Sequence, residues 1–377
     1  TKELIKSFFL ENNFESHYKS ENHMIIFHVC RYLAGLVYKD ECFKAYGKTG
    51  SELAKEDREY IKEFIRYRGR ESFGEFNSVG YLAEDYGALL TLYDYTPDEE
   101  LKTLARMSLE QILLEMIANE KEGMYCGAHG RIYTYSALDY ANGALFSFYG
   151  LIFGSPYYYE VPGTFSNVAT DLALSKFMPS DYVFAAAIEK PVNYENYEAK
   201  NLHSVTEKPP VGSMEELPHE KGHISKYTYI SENYAMGGVC MQDEYENPLA
   251  AWYAHHQQHE WDLTFPHSTE AKIFTHHPGA YGTEGAEHGY WTGDLGCCCG
   301  TFFQNKNKAL SMYDIPENKE HEINANILFE LYDVVEDGNY IFLQYEKKTY
   351  ATLYFSEGFY HKKGEYENRE LRSKGRK

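Results

Sequence analysis

The segment Gly127-Ala128-His129-Gly130-Arg131-Ile132-Tyr133 puts an imidazole, a guanidinium and a phenol within five residues, with glycine on both sides of the histidine. Histidine is a base near neutral pH, arginine clamps a carboxylate through two parallel donors, and tyrosine carries a transferable proton. Glycines let the backbone turn tightly and approach a ligand. The plain alternative is a polar loop with a satisfied histidine. Two further segments have comparable content. Asn22 and His23 follow Ser20-Glu21 and open an apolar stretch, where Ser20 or Asn22 would equally serve as a helix cap. Glu75, Asn77, Tyr81, Glu84 and Asp85 cluster at the start of another, as an acid/base pair or as charges favoured by a helix dipole.

These three segments stand just before helix-like stretches, Met24 to Val37, Tyr81 to Tyr93 and Ala137 to Phe153. Their centres, at residues 21, 79 and 136, recur about every 57 or 58 residues. Other amphipathic stretches lie between them, at Ser51 to Arg68 and Pro97 to Asn119. Such a repeat predicts antiparallel helical hairpins side by side, with one set of N-termini converging. Unpaired N–H groups and the macrodipole make that end favourable to negative charge. Further helices are expected at Phe165 to Phe177 and Ser180 to Glu189. Residues 1–190 therefore read as a helical domain.

Prolines 191, 209, 210 and 218 with scattered charges mark residues 191–224 as a linker. Residues 225–377 then change to short β segments: 227–230, 238–241, 250–253, 273–274, 327–329, 340–343 and 352–355. Glu336-Asp337-Gly338-Asn339 signals a hairpin turn. The fold class expected is α+β: an incomplete (α/α) toroid followed by an antiparallel β-sandwich. Seven of the sixteen histidines fall between His255 and His288, close to Trp261 and Trp291. Gln257, His259 and Trp261 are expected to face the helical cleft as a polar, aromatic rim. His256 and His259 have a spacing that would also suit metal ligands, but no complete tetrahedral set is apparent.

At 377 residues two domains are the natural expectation. Aromatic residues make up 16% and tyrosines number 36, rings that suit sugars or an amphipathic core alike. A net charge of −21 opposes nucleic acid or an anionic membrane surface as partner. It leaves room for an anionic substrate, because salt screens distant charge beyond about 10 Å. No apolar run reaches the roughly 18 residues of a membrane helix. Seven cysteines, three of them consecutive at 297–299, read as reduced thiols rather than a disulfide framework. The start at Thr1 and the polar C-terminus read as a processed or truncated chain.

On Ser20-Glu21-Asn22-His23, Gly127-Ala128-His129-Gly130-Arg131 and the strand-rich second half, the chain resembles bacterial polysaccharide lyases. These are the lyases built from an (α/α) toroid followed by antiparallel β-sheets, the class of heparinase II/III-like and alginate lyase-like enzymes. The resemblance implies β-elimination on a uronic-acid-containing polysaccharide, with an anionic polysaccharide as partner. It implies an Asn, with His, Arg or Glu, neutralising the uronate, a Tyr or His taking the C5 proton, and a Tyr protonating the leaving oxygen. Asn22, His23, Tyr81, His129, Arg131 and Tyr133 suit those parts, with Glu75, Asn77, Gln257, His259 and Trp261 contacting substrate. His129, or a tyrosine of lowered pKa beside Arg131, suits the base. No cofactor is required on this reading, though a structural divalent metal in the β part is allowed, and the destination implied is periplasmic or secreted. Two rivals stand: a glycoside hydrolase using Glu75 with Glu21, Glu84 or Asp85, and a non-catalytic carbohydrate-binding protein.

Overall fold

The computed structural model describes residues 2–13, 20–155, 167–201, 223–242, 259–277, 300–313 and 322–374. Helices occupy the chain as far as Ile188. They are α1 (Lys2–Glu11), α2 (Glu21–Val37), α3 (Gly50–Glu71), α4 (Tyr81–Tyr95), α5 (Glu99–Ala118), α6 (Thr134–Leu138), α7 (Ala144–Phe153), α8 (Asn167–Leu174) and α9 (Asp181–Ile188). Two small hairpins interrupt them, β1 (Cys42–Phe43) with β2 (Lys48–Thr49), and β3 (Glu120–Lys121) with β4 (Met124–Tyr125).

Local chemistry accounts for the helix starts. Thr49 and Glu52 form a capping box at α3, and Asp98 accepts from the amides of Glu100 and Leu101 at α5. α2 packs against α3 and α4, α4 against α5, α7 and α8, and α5 against α3 and α9. The helices thus stand in two rows, α2, α4 and α7 beside α3, α5 and α9. One apolar core runs through them, and Phe274 from the sheet joins it.

The third helix expected from the sequence is broken. α6 ends at Leu138, a 3-10 turn covers Tyr140–Asn142, and α7 begins after Gly143. Extended Asp139 turns its carboxylate onto the amide of Ala141, which competes with the helical ladder.

From Tyr194 onward the structure is β. Strands β5 (Tyr194–Asn201), β6 (His223–Ile230), β7 (Ala235–Gln242), β8 (Trp261–Thr264), β9 (Lys272–His276), β10 (Gly300–Asn305), β11 (Lys308–Tyr313), β12 (Ile323–Asn326), β13 (Tyr332–Asp337), β14 (Tyr340–Tyr345), β15 (Thr349–Tyr354), β16 (Tyr360–His361) and β17 (Glu370–Ser373) follow. Eight of them form one antiparallel sheet in the order β16-β17-β12-β9-β8-β7-β6-β5. β13, β14 and β15 form a second sheet, β10 and β11 a hairpin. Gly338 and Asn339 make the turn between β13 and β14, with Asp337 opposite Tyr340 and Gly338 at φ 59°. Between the large sheet and the three-stranded one lies a second core of Trp261, Phe265, Ile273, Ile341, Leu343 and Leu371. The molecule is α+β, with one face of the large sheet toward the helices.

Two expectations shift here. The span 191–224 begins with a strand: β5 pairs with β6 along its length, and Tyr194 donates to the carbonyls of Ile117 and Ala118 at the end of α5. The strand expected at 327–329 lies earlier, at β12, and Phe329 opens a 3-10 turn. Ile327 and Leu328 are apolar because they enter cores, not because they pair. The strand expected at 250–253, His255, His256, Gln257, His288, Trp291 and the cysteine triplet lie outside the described residues.

Candidate active site at the helix starts

Glu21 opens α2 and is fully buried. Its carboxylate accepts from the amides of Gly74 (2.9 Å) and Glu75 (2.7 Å) and pairs with Arg68 at 3.0 Å. Asn22, buried beside it, accepts from Ser20 and donates to Glu84 in the first turn of α4, at 2.5 Å. The Ser20 hydroxyl also meets Nδ1 of half-buried His23 at 2.5 Å. The starts of α2 and α4 are thereby tied together.

Tyr81, at the first position of α4, shares a short hydrogen bond with Tyr133, which stands just before α6. Arg131 lies over both rings, 5.1 Å from the centroid of Tyr81 and 5.5 Å from that of Tyr133, and its Nη2 reaches the Tyr81 hydroxyl at 3.5 Å. Tyr135, largely exposed, stacks on Tyr133 at 5.3 Å. Nε and Nη1 of Arg131 have no hydrogen-bond partner among the described residues, although the residue is only 8% exposed.

Three carboxyl groups crowd the floor. Burial and then the charge of Glu21 push Glu75 up to about 8, against the pull of Arg131. The same two causes, with Glu75 added, hold Asp85 well above the usual range. Glu75 Oε2 and both oxygens of Asp85 lack partners among the described residues. Burial, and then the bond to Tyr133, also raise the Tyr81 phenol, so the lowered tyrosine expected beside Arg131 is not Tyr81.

His129 goes elsewhere. It is fully buried, its Nδ1 lies 2.6 Å from the carbonyl of Asn77, and its Nε2 lies 3.7 Å from Asp262 on β8. Backbone bonds in both directions with His259 stitch this loop to the sheet. Asp262 also accepts from the Gly127 amide at 2.7 Å and from Tyr140. Burial alone would raise the Asp262 carboxyl, but His129, Lys272 and Tyr140 bring it below its ordinary value. Lys272, entirely buried, stands 3.2 Å over the Tyr140 ring, and burial lowers it to about 8 against the attraction of Asp262. Gly127 makes this seam possible. At φ 92° it lies against Gly237 of β7, where a Cβ would come within 3.3 Å of the opposite backbone. Asn77 is structural too: at φ 49°, it donates to the Ala128 carbonyl at 2.8 Å and accepts from Lys226 at 2.6 Å.

Hydrogen bonds and ring contacts thus tie Asn22 to Glu84 and Arg131 to Tyr81 and Tyr133, with Glu75 acting electrostatically on Arg131. His129, Asn77 and His259 belong to the seam, as buried support. Trp261 departs from expectation: its ring stacks on Phe302 in the second core, because side chains alternate along β8 and it is Asp262 and Thr264 that face the helices. Asp262, Lys226, Lys272 and Tyr140 were not singled out from sequence. The available signal was polar residues alternating within strands, Asp262 in Trp-Asp-Leu-Thr and Lys226 in Ile-Ser-Lys-Tyr-Thr. Among the described residues no group of three metal-ligating side chains is positioned to hold an ion, and no helix is long and apolar enough to cross a membrane. No protein-family model, curated protein or solved structure matches the chain.

Proposed function

We propose that the chain is a polysaccharide lyase that cleaves a uronic-acid-containing polysaccharide by β-elimination, its helices forming an arc of an (α/α) toroid. One observation carries the reading: a guanidinium held by two tyrosine rings keeps Nε and Nη1 without a partner among the described residues, beside an acid pushed up to about 8. A neutral Glu75 does not consume the charge of Arg131, so a substrate carboxylate can, once the Tyr81 and Tyr133 rings move aside from two nitrogens that are closed to solvent. Neutralising a uronate carboxylate makes the adjacent C5 proton removable, and electrostatic stabilisation of the enolate-like state then lowers the barrier more than any other single effect. In this scheme Arg131 receives the carboxylate and His23, half-buried at the start of α2, takes the C5 proton. The Tyr81–Tyr133 pair returns a proton to the leaving oxygen. Asn22 acts by orienting Glu84.

The test is incubation with a panel of uronate-containing polysaccharides, following the conjugated product in the near ultraviolet. Wild type should generate it and Arg131→Ala should not. The elevated Glu75 also favours a second reading, a glycoside hydrolase in which Glu75 is the acid. New reducing ends without the ultraviolet signal would replace the first reading by the second. Binding without either product would leave only a carbohydrate-binding role.

A further inference from the structure

The face of β8 that turns away from the helices borders a groove of about 880 Å³, within the range typical of small-molecule sites. Trp261, Phe265 and Ile273 of the large sheet and its flanking loop make its floor, all buried. Leu310 and Met312 on β11 and Leu353 on β15 make its walls. We propose that this groove is a second binding site, for a neutral molecule with an apolar ring or chain and a single hydrogen-bond donor such as a hydroxyl.

Two features select that chemistry. First, among the described residues no Asp, Glu, Lys, Arg or His lines the groove, in a chain that carries 57 acidic residues. A charged ligand would lose its hydration there and find no counter-charge. Second, polar groups converge at one end and are already linked to one another. The Trp261 indole donates to Thr275 at 3.1 Å, Thr275 shares a bond with Tyr313 at 2.9 Å, and Tyr313 donates to Glu260 at 3.5 Å. Thr275 and Tyr313 both line the groove, and with their protons committed along the chain their oxygens still accept, so a hydroxyl arriving there donates into it. Burial pushes Glu260 behind them up to about 8, which keeps that end without charge at neutral pH. The site is independent of the lyase reading, because Trp261 and Asp262 point to opposite faces of the sheet.

A pair of dyes of one ring system tests the proposal on the whole chain: neutral N-phenyl-1-naphthylamine and its anionic relative 8-anilinonaphthalene-1-sulfonate. The neutral dye should show saturable fluorescence enhancement and bind about tenfold more tightly than the anionic one. Ala309→Trp and Thr352→Trp, both at exposed positions on the groove walls, should each weaken it by about tenfold with unchanged circular dichroism. Arg131→Ala should leave dye binding as it is. Non-saturable enhancement, preference for the anionic dye, or indifference to both Trp variants would overturn the proposal. Should the Trp variants fail to fold, energy transfer to the bound neutral dye that disappears in Trp261→Phe supports the site, and transfer that persists unchanged overturns it.

Discussion

Arg131 and His129 stand two residues apart in one loop, yet they belong to different kinds of polar cluster. Around His129 and Asp262 most groups are fully buried and answered: a backbone carbonyl for Nδ1 of the imidazole, an amide and a phenol for the carboxylate, an aromatic face for Lys272. Nε2 of His129 has the charge of Asp262 at 3.7 Å rather than a hydrogen bond. Around Arg131 the guanidinium keeps two nitrogens unanswered among the described residues, and the neighbouring tyrosines are half-exposed. Buried polar groups that are fully paired specify structure, whereas an unpaired buried donor calls for a further reason, which on the proposed reading is a ligand. Residue type and spacing nominate both equally, and pairing separates them.

The comparison can be broken most decisively at the seam. Asp262→Ala should cost about 3–5 kcal/mol in denaturant unfolding, since it strands buried partners without their counter-charge. A stable Asp262→Ala chain that has lost only turnover would move the chemistry to the seam. Next in size is Arg131→Ala, expected to lower turnover by about two to three orders of magnitude, as loss of one charge-stabilising donor does, while the unfolding midpoint stays put. A large loss of stability there would make Arg131 a structural residue like His129.

The two clusters should also respond to pH with opposite sign. Glu75 keeps its proton when folded up to about 8 but only to 4.5 in an unfolded chain. Between those values the native state binds more protons, so stability falls as pH rises, by at most about 1.4 kcal/mol per pH unit. Lys272 loses its proton near 8 when folded and at 10.5 when unfolded, so above pH 8 its contribution rises with pH. Unfolding free energies measured across this range should show the falling limb become shallower in Glu75→Gln, with Asp85 and Glu260 supplying the remainder, and the rising limb become shallower in Lys272→Met. Smallest is Tyr135→Ala at the rim. It should raise KM severalfold, about 1 kcal/mol of lost contact with an aromatic face, and leave kcat alone. A fall in kcat instead would place Tyr135 among the groups that hold Tyr133.

Much of this was legible in the chain. Helical periodicity located α3 and α5 because each has an apolar stripe of its own and a capping side chain ahead of it, Thr49 and Asp98, and α2, α4 and α9 were legible from their apolar content. The turn at Gly338-Asn339 was readable for a similar local reason. The break of the third helix was not, since it depends on Asp139 preferring a nearby amide to the ladder. Trp261 was misplaced because period-two alternation gives two faces without saying which one meets the helices.

By itself the sequence determined that a helical half precedes a strand-rich half, the polar residues at the helix starts and an overall acidic charge. Those properties arise from neighbours within a few residues, or from a simple sum. Only the tertiary structure decided that Tyr133 meets Tyr81, that His129 is buried against Asp262, and that Glu75 keeps its proton. Each depends on residues about fifty or more positions apart being brought together out of water, where one unpaired donor or one crowded carboxylate changes the chemistry of its surroundings.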